Sequence, residues 1–348
     1  MNYFRQKIHE MSGYVPGEQP PLGTKIIKLN SNENPYPPSP KALKVLQEID
    51  GEILRRYPDP TGKQFRIAAS QVLGVPDDWI VVGNGSDDLL NLIVRAVGET
   101  GKQVVCPSPT YVLYRTLAEI QDVELVEIPY PDDYQLPVDL LIAAQGAVTF
   151  VASPNSPSGT AIPLADLEQL ARGLSGILVI DEAYVDFAEN HALELTKTYN
   201  NVIVLRTLSK GYSLAGLRLG FGITNPALIA ELNKIKDSYN VDALAYLVAA
   251  EAIADQTYKT ANAEKIKASR QKLALSLKEL GFDIWPSQTN FLLVRPPQGD
   301  AERIYQRLKQ EGILIRYFNQ PRLADKLRIT VGTEAQNQIL VKILTKIL

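Results

Sequence analysis

The sequence is short of the residues on which much acid–base and metal chemistry depends. Its 348 residues include one cysteine, Cys106, and two histidines, His9 and His191. A single cysteine excludes an intrachain disulfide and fits a reducing compartment. His9-Glu10 begins like a zinc-protease helix motif, but Gly13 stands where the second ligand belongs. Two distant histidines and one thiol make a poor zinc set. No Gly-x-Ser-x-Gly turn accompanies either histidine as the base of a serine triad. An excess of positive charge is missing too: 36 Lys+Arg face 39 Asp+Glu, for a net charge of -3. Nucleic acid is therefore offered no basic face. No uninterrupted apolar run approaches the ~18 residues of a membrane span, so no membrane partner is expected. Met1 to Lys7 lack the apolar core of a signal peptide, and the expected location is the cytoplasm. The chemistry falls to lysine, arginine, tyrosine or a cofactor, acting on small molecules.

What is present suits a two-domain α/β enzyme. At ~150 residues per domain the length implies about two domains. Apolar residues at 45% and charged residues at 22% are ordinary for a globular chain. Residues 1–38 are rich in Pro, Gly and Asn and read as an ordered arm. Apolar strands then alternate with helical patterns through residues 39–257, the expected large domain. Seven strands are expected, at 80–82, 104–106, 123–128, 147–151, 177–180, 202–205 and 219–223. The runs Ile177 to Ile180 and Val202 to Leu205 are apolar throughout, as in strands buried on both faces. The alternation implies a mostly parallel sheet covered by helices. Residues 258–348 change to an α+β pattern, with a long helix over 258–280 stopped by Gly281. They form the expected smaller domain, with a contribution from the N-terminal segment.

Three loops could carry chemistry. Gly83-Asn84-Gly85-Ser86-Asp87-Asp88 joins a strand to a helix, where free N–H groups and the positive dipole end suit an anion. Asp88 replaces the third glycine of a dinucleotide fingerprint, and no Gly-Lys-Ser/Thr follows as in a P-loop. The turn reads either as a capped helix start, with Ser86 or Asp87 as the cap, or as a cradle for one phosphate. Ile177 to Asp181 is a buried strand ending in a carboxylate. Burying Asp181 is costly unless cations or donors meet it, and a protonated pyridine nitrogen is one permitted partner. The loop Ser209-Lys210-Gly211 follows a strand and precedes Arg218. A lysine so placed can form a Schiff base with a carbonyl cofactor, although a lone lysine is commonly a surface charge.

Taken together, Ser209-Lys210 with Arg218, Asp181 with Tyr184, and Pro154-Asn155-Ser156-Pro157-Ser158-Gly159 resemble fold-type I pyridoxal phosphate aminotransferases. Tyr14 to Gly17, Asn30 to Pro35, Arg56 to Asp59, Pro109-Thr110-Tyr111 and Leu327 to Thr333 are similar to the histidinol-phosphate aminotransferase group. The matches span Tyr14 to Thr333, nearly the whole chain. The resemblance implies pyridoxal 5'-phosphate as cofactor and Lys210 as its Schiff-base lysine. It places Asp181 at the ring nitrogen, Tyr184 and Asn155 at the 3' oxygen, and Tyr111 against the ring. It gives the phosphate to Gly85, Ser86, Asp87, Ser209 and Arg218. Tyr57 would reach that phosphate from the neighbouring subunit of a homodimer. Ser156, Ser158 and Gly211-Tyr212 depart from the usual pattern without removing a functional group.

The same resemblance assigns Arg328 and Arg316 to substrate anions, with Tyr14, Asn32 and Asn290 completing the pocket. An arginine fork takes a carboxylate or a phosphate. The implied activity exchanges the amino group of L-histidinol phosphate with 2-oxoglutarate in histidine biosynthesis. An aromatic amino-acid transaminase or a threonine-phosphate decarboxylase of the same fold is the alternative.

Overall fold

The computed structural model describes residues 3–13, 17–21 and 23–348. Its strands, in chain order, are β1 (Ile27–Lys28), β2 (Ile80–Gly83), β3 (Gln103–Ser108), β4 (Glu124–Pro129), β5 (Val148–Ala152), β6 (Ile177–Asp181), β7 (Val202–Thr207), β8 (Gly220–Ile223), β9 (Asp283–Ile284), β10 (Phe291–Arg295), β11 (Ile313–Leu314), β12 (Arg316–Tyr317) and β13 (Leu327–Thr330). Seven of them form one sheet in the order β2-β8-β7-β6-β5-β3-β4. Only β8 runs against its neighbours, antiparallel to both β2 and β7. The architecture is the expected α/β sheet, and all seven expected strands are in it.

Successive residues of the central strands point to opposite faces, and both faces are dry. Leu178 and Ile180 enter one buried cluster with Val151 and Val204, whereas Val179 enters the other with Phe150, Ile203 and Leu205. That two-sided burial is why these strands read as unbroken apolar runs instead of alternating ones. Helices Lys63–Leu73 and Ala243–Ala254 close one face; Ser86–Val97 and Leu113–Gln121 close the other.

A second core lies around β10 and β13, which pair antiparallel within the sheet β12-β13-β10-β9. Helices Gln256–Glu279, Ala301–Gln310 and Glu334–Ile347 pack on it. The last begins with a capping box in which Thr333 and Gln336 satisfy each other's backbone N–H groups. The N-terminal segment joins this body, since β1 pairs parallel with β11 and Leu29 is buried in its core. The long helix starts at Gln256, so residue 258 falls in its first turn. Among the described residues, no helix is long and apolar enough to cross a membrane. No group of three or more His, Cys, Asp or Glu among them could hold a metal ion.

The parallel strands matter because their C-terminal ends lie along one edge, the edge at which open α/β sheets bind ligands. Gly85-Ser86 follows β2, Thr110-Tyr111 follows β3, and Asn155 follows β5. Asp181 ends β6, and Ser209-Lys210 follows β7. Five loops far apart in sequence are thereby brought to one cavity.

Candidate active site

Lys210, Asp181, Ser86, Asp87, Tyr111, Tyr184, Ser209 and Arg218 line that cavity together, with Asn32, Arg316 and Arg328 across from them. Lys210 Nζ donates to the Ser31 carbonyl at 3.2 Å, while Asn34 Nδ2 holds the Lys210 carbonyl at 3.0 Å. Removal from solvent, and then the nearby Arg328 charge, lower the Lys210 pKa to about 8. The amine is thus neutral over a pH range where a surface lysine stays protonated. Competitive acetylation of the protein free of ligands should show Lys210 reactivity rising steeply up to pH ~8 and flattening above it. A rise that continues past pH ~10, as for exposed lysines, would contradict this environment.

Asp181 is 4% exposed. Tyr114 OH donates to its Oδ2 at 2.9 Å and the Ala183 N–H to its Oδ1 at 3.1 Å. Burial still dominates and pushes its pKa up to about 6, with the Tyr114 and Ala183 donors opposing that rise. The carboxylate is ionised at neutral pH yet short of a cation, the state of a group built to meet one.

The turn after β2 resolves the two readings of its sequence. The helix Ser86–Val97 has Gly85 at its N-cap, at φ 82°, and no side-chain cap. Neither Ser86 nor Asp87 caps it, so the first-turn N–H groups remain available to an anion. Asp88, which occupies the place of the third fingerprint glycine, is structural: its Oδ2 accepts from Asn84 N at 2.9 Å and Asn240 Nδ2 at 3.0 Å. A Cβ on Gly85 would lie 2.5 Å from an Arg218 guanidinium nitrogen, and one on Gly220 would lie 2.2 Å from Ser86 N. Both glycines are needed for the turn to lie against Arg218 and β8. Arg218 bridges to Asp87 Oδ2 at 3.2 Å, and Tyr111 OH donates to Asp87 Oδ1 at 3.1 Å. Ser209 Oγ accepts from Thr207 Oγ1 at 2.9 Å.

The opposite wall comes from the second body. Cα partners Arg316 and Arg328 stand side by side on β12 and β13. Arg328 donates to Ser156 Oγ and to the Asn30 carbonyl, each at 3.1 Å. Its guanidinium lies 5.4 Å from the Phe318 ring centroid, and that of Arg316 lies 5.3 Å from the same ring. An aromatic face between two cations offsets part of their mutual repulsion. Asn32, at φ 56°, donates from Nδ2 to Tyr184 OH at 2.8 Å and is fixed by Thr330 Oγ1 at 3.1 Å.

Not every expected residue meets the cavity. Asn290 is fully buried behind it and donates to the Asn32 carbonyl at 2.9 Å. Asn155 is also fully buried; its Oδ1 accepts from Thr110 at 2.7 Å and its Nδ2 donates to Ser158 and the Pro109 carbonyl. Tyr57 lies elsewhere, 80% exposed and stacked on Tyr239 at 4.5 Å. Tyr14 lies outside the described residues. The departures noted in sequence have local causes: Ser156 holds Arg328, Ser158 holds Asn155, and a Cβ at Gly211 would lie 2.1 Å from Asp186 Oδ2. Sequence reasoning missed Tyr114, Thr330 and Phe318. Phe318 carried a faint signal, two residues beyond Arg316 in extended chain and so on the same side.

Comparison with known proteins agrees with this geometry. The model of the aminotransferase class I and II family matches residues 24–344, and the chain belongs to that family. Within it, the chain is 63% identical to histidinol-phosphate aminotransferase 1 of Trichormus variabilis, over 100% of its own length and 99% of that protein. It is 44% identical to histidinol-phosphate aminotransferase of Citrifermentans bemidjiense, covering 99% of this chain and 98% of the other. The crystal structure of histidinol-phosphate aminotransferase from Sinorhizobium meliloti in complex with pyridoxal-5'-phosphate superposes with a TM-score of 0.91 at 29% identity, covering 100% and 98% of the two chains.

Proposed function

We propose that this enzyme binds pyridoxal 5'-phosphate in the cavity and moves an amino group between L-histidinol phosphate and 2-oxoglutarate, a step of histidine biosynthesis. The observation that carries the reading is the pair Arg316 and Arg328, facing the same cavity as Lys210 and Asp181. Full-length relatives of that name support it.

The residues present fit the cofactor. The uncapped turn at Ser86 and Asp87, with Ser209 and Arg218, suits its phosphate, and the underpaired carboxylate of Asp181 suits its ring nitrogen. When bound, the cofactor supplies a carbonyl for amine exchange and a protonated ring that takes up electrons released at the substrate Cα. Asp181, ionised at neutral pH, would keep that ring protonated. Tyr111, which lines the cavity, would lie against the ring. Lys210, once its amine is free, takes the proton from Cα and returns it on the other side of the exchange, and a pKa near 8 suits both directions. Tyr184 OH reaches the cavity for the 3' oxygen, held in place by Asn32. Asn155 would have to release Ser158 or the Pro109 carbonyl to donate there. Tyr14 is proposed at the substrate end.

One pocket must accept a phosphate in one half-reaction and a carboxylate in the other. A dianionic phosphate engages two guanidinium groups, whereas a carboxylate needs mainly one fork. With Arg328 as the shared anchor, Arg316→Ala should slow histidinol phosphate more than glutamate. Losing such a contact costs on the order of 1.5–3 kcal/mol, roughly 10- to 100-fold in kcat/KM. Arg328→Ala should impair both substrates. Single-turnover kinetics with each substrate checks this. Equal losses in Arg316→Ala would remove the phosphate-specific role and favour an aromatic amino-acid transaminase.

A homodimer belongs to the same proposal. Tyr57 is far too exposed for a working residue of its own subunit, and it borders a separate cleft with Arg56 and Tyr246. Leu43, Leu46, Leu54 and Tyr239 are exposed as well. A second copy covering this face would bury them and bring Tyr57 to its neighbour's phosphate turn. Sedimentation at the mass of a single chain would contradict this arrangement.

A further inference from the structure

Behind Asp181 stands a side chain with no part in the scheme above. Tyr114, in the first turn of the helix Leu113–Gln121, is fully buried and does not line the cavity. Its ring is stacked on Phe150 with centroids 4.9 Å apart and meets Tyr111 edge-on at 5.7 Å. Phe150 lies on β5, beside the strand that ends in Asp181, so the phenol is clamped from two directions. Its hydroxyl donates to Asp181 Oδ2.

The rest of the surroundings work against a charge on Asp181. It is buried, and the carboxylates of Asp87 and Glu182 add repulsion. Those two have their own cations, Arg218 for Asp87 at 3.2 Å and Arg206 for Glu182 at 2.8 Å. Among the described residues, Asp181 has no cation and two neutral donors, Tyr114 OH and the Ala183 N–H. A hydrogen bond to an ionised acceptor favours the ionised form, and a phenol kept neutral by burial remains a donor throughout.

We propose that Tyr114 is a positioning residue for amino transfer: its hydroxyl fixes the Asp181 carboxylate and keeps the shared proton on the cofactor's ring nitrogen instead of on Asp181. The proposal rests on the reading of the cavity as a pyridoxal phosphate site. Tyr114 does not line the cavity, so its effect belongs to the chemical step and not to binding.

The test uses holoenzyme loaded with pyridoxal phosphate carrying 15N in the ring. Tyr114→Phe keeps the ring contacts with Phe150 and Tyr111 and removes only the donor. The 15N resonance should move from the protonated toward the unprotonated position, and the single-turnover rate should fall about 10-fold with substrate affinity unchanged within about 2-fold. Should Tyr114→Phe fail to fold, 3-fluorotyrosine at position 114, a stronger donor of similar shape, should raise the pH at which the ring 15N resonance loses its proton, and an unchanged or lower value would overturn the role. An unshifted resonance in Tyr114→Phe, or a rate loss that tracks thermal stability alone, would overturn the role of Tyr114. Failure of the unsubstituted protein to take up the cofactor would instead overturn the reading of the cavity.

Discussion

Lys210→Ala should retain pyridoxal phosphate through the phosphate turn and Asp181 while losing transamination by several orders of magnitude. Lys210 is asked to do two things from one atom: hold the cofactor's carbonyl and move the proton at the substrate Cα. Among the described residues, no other lysine lines the cavity. The neighbouring Tyr184 hydroxyl cannot stand in, because burial raises its pKa and so makes it a poor base near neutrality. Cofactor retention is read from the absorbance of the desalted protein, and turnover from glutamate formation. Turnover within tenfold of the parent protein would sink the assignment.

Asp181→Asn should separate function from stability, in opposite directions. Asparagine can accept the Ala183 N–H at Oδ1 and donate from Nδ2 to the Tyr114 oxygen, but it cannot balance a protonated ring, and half-reaction rates should fall by roughly 100-fold or more. Stability of the protein without cofactor should rise. The Asp181 pKa is about 6 in the fold, above the ordinary aspartate value. A folded state that holds a proton more tightly than the unfolded chain is favoured in acid and loses that advantage as pH climbs through 6. At pH 7–8 the buried charge therefore costs on the order of 1–3 kcal/mol, which asparagine removes. The Tm gain should shrink toward zero below pH ~4. Unchanged half-reaction rates in stopped flow would count against a role at the ring nitrogen, and a Tm loss at pH 8 would contradict the strained carboxylate.

Strands buried on both faces announce themselves by apolar runs, so β6 and β7 were legible together with the residues at their ends, Asp181 and Lys210. The helix Ala243–Ala254 was not, because its residues are apolar all round and leave no 3.6-residue rhythm against a polar face. Short strands such as β12 are fixed by their partners, here the register of Arg316 against Arg328, and not by any pattern of their own. The same distinction holds inside the site. Lys210, Asp181 and Arg218 carry unusual charges in loops and could be singled out from the chain. Tyr114 sits among core aromatics, and only the fold shows that its hydroxyl points at a carboxylate. Asn290 was placed in the pocket by resemblance, and the fold puts it one layer back, supporting Asn32.

Two arginines, one desolvated lysine and one buried carboxylate together make a transaminase for a phosphorylated amine. The most direct measurement incubates the purified protein, loaded with pyridoxal phosphate, with 2-oxoglutarate and, in separate reactions, L-histidinol phosphate, phenylalanine and threonine phosphate. Glutamate should form in step with loss of histidinol phosphate, far faster than with phenylalanine, and no substrate should release carbon dioxide. Carbon dioxide released from threonine phosphate, or glutamate formed faster from phenylalanine than from histidinol phosphate, would contradict this assignment.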